Sequence, residues 1–269
     1  MYRRFVVVIA PLVVLSAVYA CTRMSAGGVS QDGTVRSQGS TSAGEVARAG
    51  TVDEGKAIFR DDTFGDEYFW SDTLELHRAI AGDKHGGVGA GLTPRQALAA
   101  GLKVDMERLD RATIEAIRGG KANLDDPATT LALLKAGAVV GVKGFYNGAG
   151  MDPTRVGITC AICHSTVNDG LTKGIGSRLD GWPNRDLNIG AVVAMAPKLT
   201  PFENALQMDA EAIRKVLKSW GPGRYDAELI HDGKAFRPDG KTAATLLPAA
   251  FGLAGINLHT YTGWGSVTH

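Results

Sequence analysis

The sequence predicts a mainly α fold, built from short helices joined by long glycine-rich loops. Three observations point there. Capping residues at the start of apolar segments and glycines at their ends recur along the chain. Alternation of apolar and polar residues is nowhere long enough for a sheet-based fold. The chain also carries 35 glycines against 10 prolines, with no Gly-X-Y period, which calls for many tight turns. At 269 residues the chain can bury a core without covalent staples. Its 29 basic and 28 acidic residues leave a net charge of +1, so no field exists to gather a polyanion, and nucleic acid is not an expected partner.

Arg3 and Arg4 precede an apolar stretch from Phe5 to Val18, the length of a signal-peptide core and short for a bilayer span. Residues 1–20 are therefore expected to be an export signal, and the mature protein to be periplasmic. Cys21 stands directly after it. The surroundings resemble a bacterial lipoprotein processing site, which would make Cys21 a lipid anchor, while the bulky Tyr19 also suits ordinary cleavage after Ala20. Residues 21–50 are rich in Ser, Gly, Thr and Ala and read as a flexible linker. One ordered domain is expected over residues 51–269.

Within it, Thr51-Val-Asp-Glu54 has the form of a capping box opening a first helix. Ser71 or Asp72 caps a second, carrying Leu74, Leu76, His77 and Ile80 and stopped by Gly82. Thr93-Pro94-Arg-Gln96 opens a third, closed by Gly101, because proline suits the first helical position and glutamine completes a capping box. Asp110 to Arg118 with Gly119, and Asp126-Pro127 to Ala136 with Gly137, repeat the plan. Asp209 to Trp220 places Ile213, Val216 and Leu217 on one face. Val139 to Val142 and Gly144 to Tyr146 suggest one short hairpin.

The motif that carries chemistry is Cys160-Ala-Ile-Cys163-His164. Two cysteines three apart on a helical turn present their thiols to one side, where they can add to the two vinyl groups of a haem. The histidine beside them can then bind the iron. A zinc site would need further ligands at short spacing, and a thioredoxin-like pair would need a preceding strand in a sheet-rich domain. One covalently attached haem c is therefore expected, held by Cys160 and Cys163, with His164 as proximal iron ligand.

The sixth iron position has several candidates: His77 on the second expected helix, Met195 in Val192-Val-Ala-Met-Ala-Pro197, His259 in Asn257-Leu-His-Thr-Tyr261, or an open site. His77 is the expected choice. His85, His231 and His269 stand in glycine-rich, charged or terminal contexts and read as solvated. Arg178, Trp182, Asn184 and Arg185, clustered after the motif, are donors suited to haem propionates.

With this motif the chain resembles c-type cytochromes. Gly55-Lys-Ala-Ile-Phe59, Asp62-Thr-Phe-Gly-Asp-Glu67, Val140-Gly-Val-Lys-Gly144 and Asp180-Gly-Trp-Pro-Asn-Arg-Asp-Leu-Asn188 are similar to bacterial di-haem proteins of the cytochrome c peroxidase and rubber-oxygenase-like group. The resemblance implies a periplasmic, cytochrome c-like helical haem domain. It also implies a second attachment motif, which this sequence does not contain, so the chain reads either as incomplete at its C-terminus or as a one-haem relative. The expected function is electron transfer in the cell envelope with a periplasmic redox partner protein. The alternative is a peroxidase- or oxygenase-type oxidoreductase.

Overall fold

The computed structural model describes residues 49–226, 244–251, 258–259 and 265–266, with side chains described over 51–226 and 244–251. The expected export signal, Cys21, nearly all of the expected linker, His231 and His269 lie outside the described residues. Residues 54–254 form one compact unit, and residues 1–53 with 255–269 belong to another. No helix among the described residues is long and apolar enough to cross a membrane.

Helix α1 (Ala49–Asp61) begins before Thr51, so the Thr51-Glu54 pair lies inside the helix and does not open it. Ala49, the residue type that favours helix most, carries the turn past that point. After α1 the chain makes a wide π-helical turn (Tyr68–Thr73) and a left-handed step at Glu75, φ 57°, before helix α2 (Leu76–Ala81). The single helix expected from Ser71 to Gly82 is thus split. Ser71 does not cap it: its buried hydroxyl donates to the Val156 carbonyl at 3.0 Å and accepts from the Val156 N–H at 2.7 Å. Glu75 instead bridges Arg78 at 2.7 Å and Lys198 at 2.5 Å, and the Lys198 hydrogen bond holds its carboxyl below the ordinary range.

Helix α3 (Pro94–Ala99) has the complete Thr93/Gln96 capping box, with Gln96 N–H on the threonine hydroxyl at 3.2 Å and Thr93 N–H on the glutamine at 3.0 Å. Strand β1 (Val104–Asp105) follows. Helix α4 (Arg111–Arg118) is capped by Asp110, and α5 (Pro127–Lys135) by Asp126, with Leu131, Leu133 and Leu134 buried as the leucine spacing requires.

Strand β2 (Val142–Phe145) pairs antiparallel with β3 (Arg155–Ile158), in register from Val142 opposite Ile158 to Phe145 opposite Arg155. The expected hairpin is therefore wrong in detail: Gly144 and Phe145 continue the strand that starts at Val142, and Val139 bridges to Val104. A helical turn, α6 (Ala161–His164), joins β3 to β4 (Ser165–Val167). Then come β5 (Ile175–Gly176), which pairs parallel with β1, and β6 (Arg178–Asp180), which pairs antiparallel with β4. Helices α7 (Ile189–Val193), α8 (Thr200–Leu206) and α9 (Ala210–Ser219) precede β7 (Arg224–Tyr225), which pairs with β8 (Thr245–Leu246). Asp209 caps α9, and Ile213 and Leu217 are fully buried, as expected. In the other unit β9 (Leu258–His259) pairs with β10 (Gly265–Ser266).

The fold is consequently mixed, with helices interleaved among several two-stranded sheets, and the expected mainly α, cytochrome c-like helical domain is overturned. Strands of two to four residues leave no readable alternation, and their partners are set by tertiary packing rather than by local pattern. The main apolar cluster draws on α2, α5, α7 and α9, with Leu74, Val156, Ile162 and Leu187 among its buried members. A second, smaller cluster joins Val104, Leu133, Ala138 and Ile175. Each leucine or isoleucine buried there contributes about 1.5–3 kcal/mol relative to exposure.

Asp66, just before the π-turn, accepts from the Ile158 N–H at 3.0 Å and from the Trp70 indole at 2.8 Å. Burial outweighs these bonds and pushes its carboxyl up to about 6. Between the ordinary value of 3.8 and about 6 the native state holds more protons than the unfolded chain, so this group's contribution to stability falls as pH rises through that window. Urea midpoints measured from pH 4 to pH 7 are expected to show the decline, and Asp66→Asn to flatten it.

Candidate functional site

The Cys160–His164 turn is held from both sides. The β2–β3 pair delivers the chain to Thr159, whose N–H donates to the Gly141 carbonyl at 3.0 Å. The Thr159 carbonyl then accepts the Ile162 N–H at 3.1 Å, and its hydroxyl accepts the Ala161 N–H at 3.3 Å, so the turn closes at once. Gly141 sits at φ +76° with its α-carbon against the Ile162 backbone, where a β-carbon would collide. On the far side, the His164 carbonyl accepts from Gly181 N–H at 2.8 Å and the Cys163 carbonyl from Asn184 N–H at 2.9 Å. Asn184, 2% exposed, also donates its side-chain amide to the Gly101 carbonyl at 2.9 Å and the Ile162 carbonyl at 3.4 Å.

This arrangement places the three expected residues together. Cys160 is exposed and Cys163 half-buried, packed against the main apolar cluster. Burial pushes the Cys163 thiol up to about 12, with the neighbouring Cys160 adding to the effect. Burial thus disfavours the thiolate at Cys163, whereas a neutral thioether there loses nothing by burial. His164 points Nδ1 at the Pro248 carbonyl, 3.1 Å away. A carbonyl can only accept, so Nδ1 carries a proton, and in the neutral ring the lone pair is left on Nε2. Asp180 braces the following strand pair, accepting from Arg60 at 2.6 Å and from Ser165 at 2.7 Å, and pairing with Arg178 at 2.9 Å.

The other expected residues are placed differently. His77 is half-buried on α2 with its Nδ1 lacking a hydrogen-bond partner, and burial lowers its pKa. Its charged neighbours are Glu75, Arg78, Asp72 and Arg155. Met195 packs against the main cluster. His259 lies in β9, and its side chain is outside the described residues. His85 is not simply solvated, standing 3.2 Å from an Asp152 carboxylate oxygen. Of the four propionate candidates, Arg178 is committed to Asp180 and Asn184 to backbone carbonyls, which leaves the exposed Arg185 and Trp182. Trp182 packs against Phe251 with ring centroids 5.2 Å apart and the rings tilted.

Sequence reasoning missed the close approach of Gly141 and the Pro248 carbonyl, and it read Asn184 as a donor for a carboxylate where the structure turns its amide onto backbone carbonyls. Gly141 had a local signal, a glycine set between valines; Pro248 had none, since only the tertiary fold brings it to His164. Asn184→Ala is expected to cost about 2–3 kcal/mol, because two buried carbonyls lose their donor, and urea unfolding measures it. Asn184→Asp, which sets an acceptor against those carbonyls, is expected to cost at least as much.

Among the described residues no group of three or more His, Cys, Asp or Glu is placed to hold a metal ion by itself. No protein-family model, curated protein or solved structure matches the chain.

Proposed function

We propose that this chain is a c-type cytochrome that carries electrons in the bacterial cell envelope. The observation that carries the reading is the His164 ring, fixed through Nδ1 to the Pro248 carbonyl with Nε2 left basic, on the same turn as Cys160 and Cys163. Each thiol would add across a haem vinyl group, its sulfur bonding one carbon and its proton passing to the other, so that no oxidant is required. The attached haem supplies a one-electron iron couple. The protein's own residues do the rest. The Pro248 carbonyl fixes the imidazole tautomer and raises the basicity of Nε2 toward iron. Asn184 and Gly181 hold the carbonyls of the turn, so the sulfurs and the imidazole keep their relative positions. Arg185 and Trp182 offer exposed donors for propionates.

The apolar packing around Cys163 excludes water from one side of the turn, which favours electron transfer with little reorganisation. His77 is the proposed sixth ligand, and a periplasmic redox protein the proposed partner, with Cys21 the proposed lipid anchor. The relation to di-haem peroxidases and rubber-oxygenase-like proteins belongs to the same proposal. The haem-loaded protein is expected to keep its visible spectrum when cyanide or carbon monoxide is added, because His164 and His77 would both bind the iron. Ready binding of either ligand, with peroxide turnover on an artificial donor, would instead assign it to peroxidase-type chemistry.

A further inference from the structure

A cavity of about 70 Å³ lies inside the 54–254 unit, walled by both apolar clusters. Leu98, Leu133 and Ile175 contribute from the smaller cluster, and Ile162 and Met195 from the side of the main one. Its accessible surface is apolar, although Lys103, Thr113, Thr129 and Thr130 stand among its lining residues. Water needs two to four polar partners to occupy an interior site, so a chamber of this kind stays dry and accepts apolar guests. Its volume is several times that needed for one water, and a void this large forfeits the dispersion contacts that an occupant would restore.

The covering element is helix α4. Thr113 and Ile117 of α4 line the cavity, yet no residue of this helix is buried. The helix runs straight into Gly119 and Gly120, and Gly120 stands at φ +66° with open space around it. An amphipathic helix lying half out of the core, and ending on two glycines, can tilt without breaking buried contacts elsewhere.

We propose that this cavity is a binding site for a small uncharged apolar molecule, of the size of a gas or a short hydrocarbon, admitted beneath α4. The site does not depend on the haem reading, because its lining is drawn from the polypeptide alone. Ile162 nevertheless belongs both to this wall and to the segment between the two cysteines, so an occupant would lie against the back of that turn.

Xenon is the probe, followed by ¹²⁹Xe NMR on the whole chain with and without haem. The expected result is a saturable, concentration-dependent shift in both forms. Ala97 lines the cavity, and Ala97→Leu fills part of it, so the shift is expected to fall several-fold or vanish. Should that variant fail to fold, Ile117→Ser on α4 sets a hydroxyl in the wall and is expected to weaken xenon binding in the same direction. Leu133→Ala enlarges the chamber, and benzene is then expected to raise its Tm. Absence of a saturable shift in the unaltered protein, or a shift unchanged in a folded Ala97→Leu or Ile117→Ser protein, would overturn the proposal.

Discussion

Gly141→Val is expected to cost about 3–5 kcal/mol, a large share of the roughly 5–15 kcal/mol that holds a domain of this kind together. Two effects combine. The left-handed backbone at φ +76° costs a side chain with a β-carbon about 1–2 kcal/mol, and more when it is branched. The added carbons also run into the Ile162 backbone, which cannot yield without displacing the turn that carries Cys163, and overpacking of that sort costs about 1–3 kcal/mol. Gly120→Val is the control, since Gly120 has the same backbone sign, φ +66°, with no atom nearby. Urea unfolding of both proteins separates strain from collision. A Gly141 variant no worse than the Gly120 variant would mean that the approach of residue 141 to the turn is not tight.

The second large effect concerns the proposed haem. Replacing Cys160 and Cys163 by serine is expected to abolish covalent haem, so that acid acetone extracts whatever haem remains and the intact mass equals that of the polypeptide. Serine changes volume little at either position; the new hydroxyl at 160 faces solvent and the one at 163 is half-buried, so the variant is expected to remain folded. His164→Ala is expected to leave the thioethers in place while changing the axial ligand signature in the visible spectrum. A haem that resists extraction from the double serine protein would refute the assignment of the tethers.

The parts of this structure that could be read in the sequence are those set by local chemistry. Thr93, Asp110, Asp126 and Asp209 act through hydrogen bonds spanning two or three residues, so their helices start where the side chains indicate. The Cys160–His164 motif is likewise local, and the five-residue turn assembles as its spacing requires. The strands were not legible. Val104 meets Ile175, and Val142 meets Ile158, through contacts that no window of sequence contains, and strands of two to four residues offer no periodicity of their own. That is why a mixed fold was mistaken for a helical one. Ser71 shows the same limit in miniature, because a residue with the chemistry of a helix cap found a better pair of partners in the backbone of Val156.

That Cys160, Cys163 and His164 share one turn was legible in their spacing, and what supports the turn was not. The Pro248 carbonyl reaches His164 from a distant segment, and a backbone carbonyl leaves no trace in residue type. Asn184 was read as a donor for a carboxylate, yet its amide is turned inward onto Gly101 and Ile162.

The central claim is that Cys160 and Cys163 carry a covalent haem on a turn preset by Pro248, Asn184 and Gly141. A pyridine haemochrome spectrum, read beside the intact mass of the protein exported in cells with cytochrome maturation machinery, tests it most directly. The account predicts a c-type spectrum and a mass increased by one haem. A folded, exported protein with the mass of the bare polypeptide and no haemochrome would contradict it.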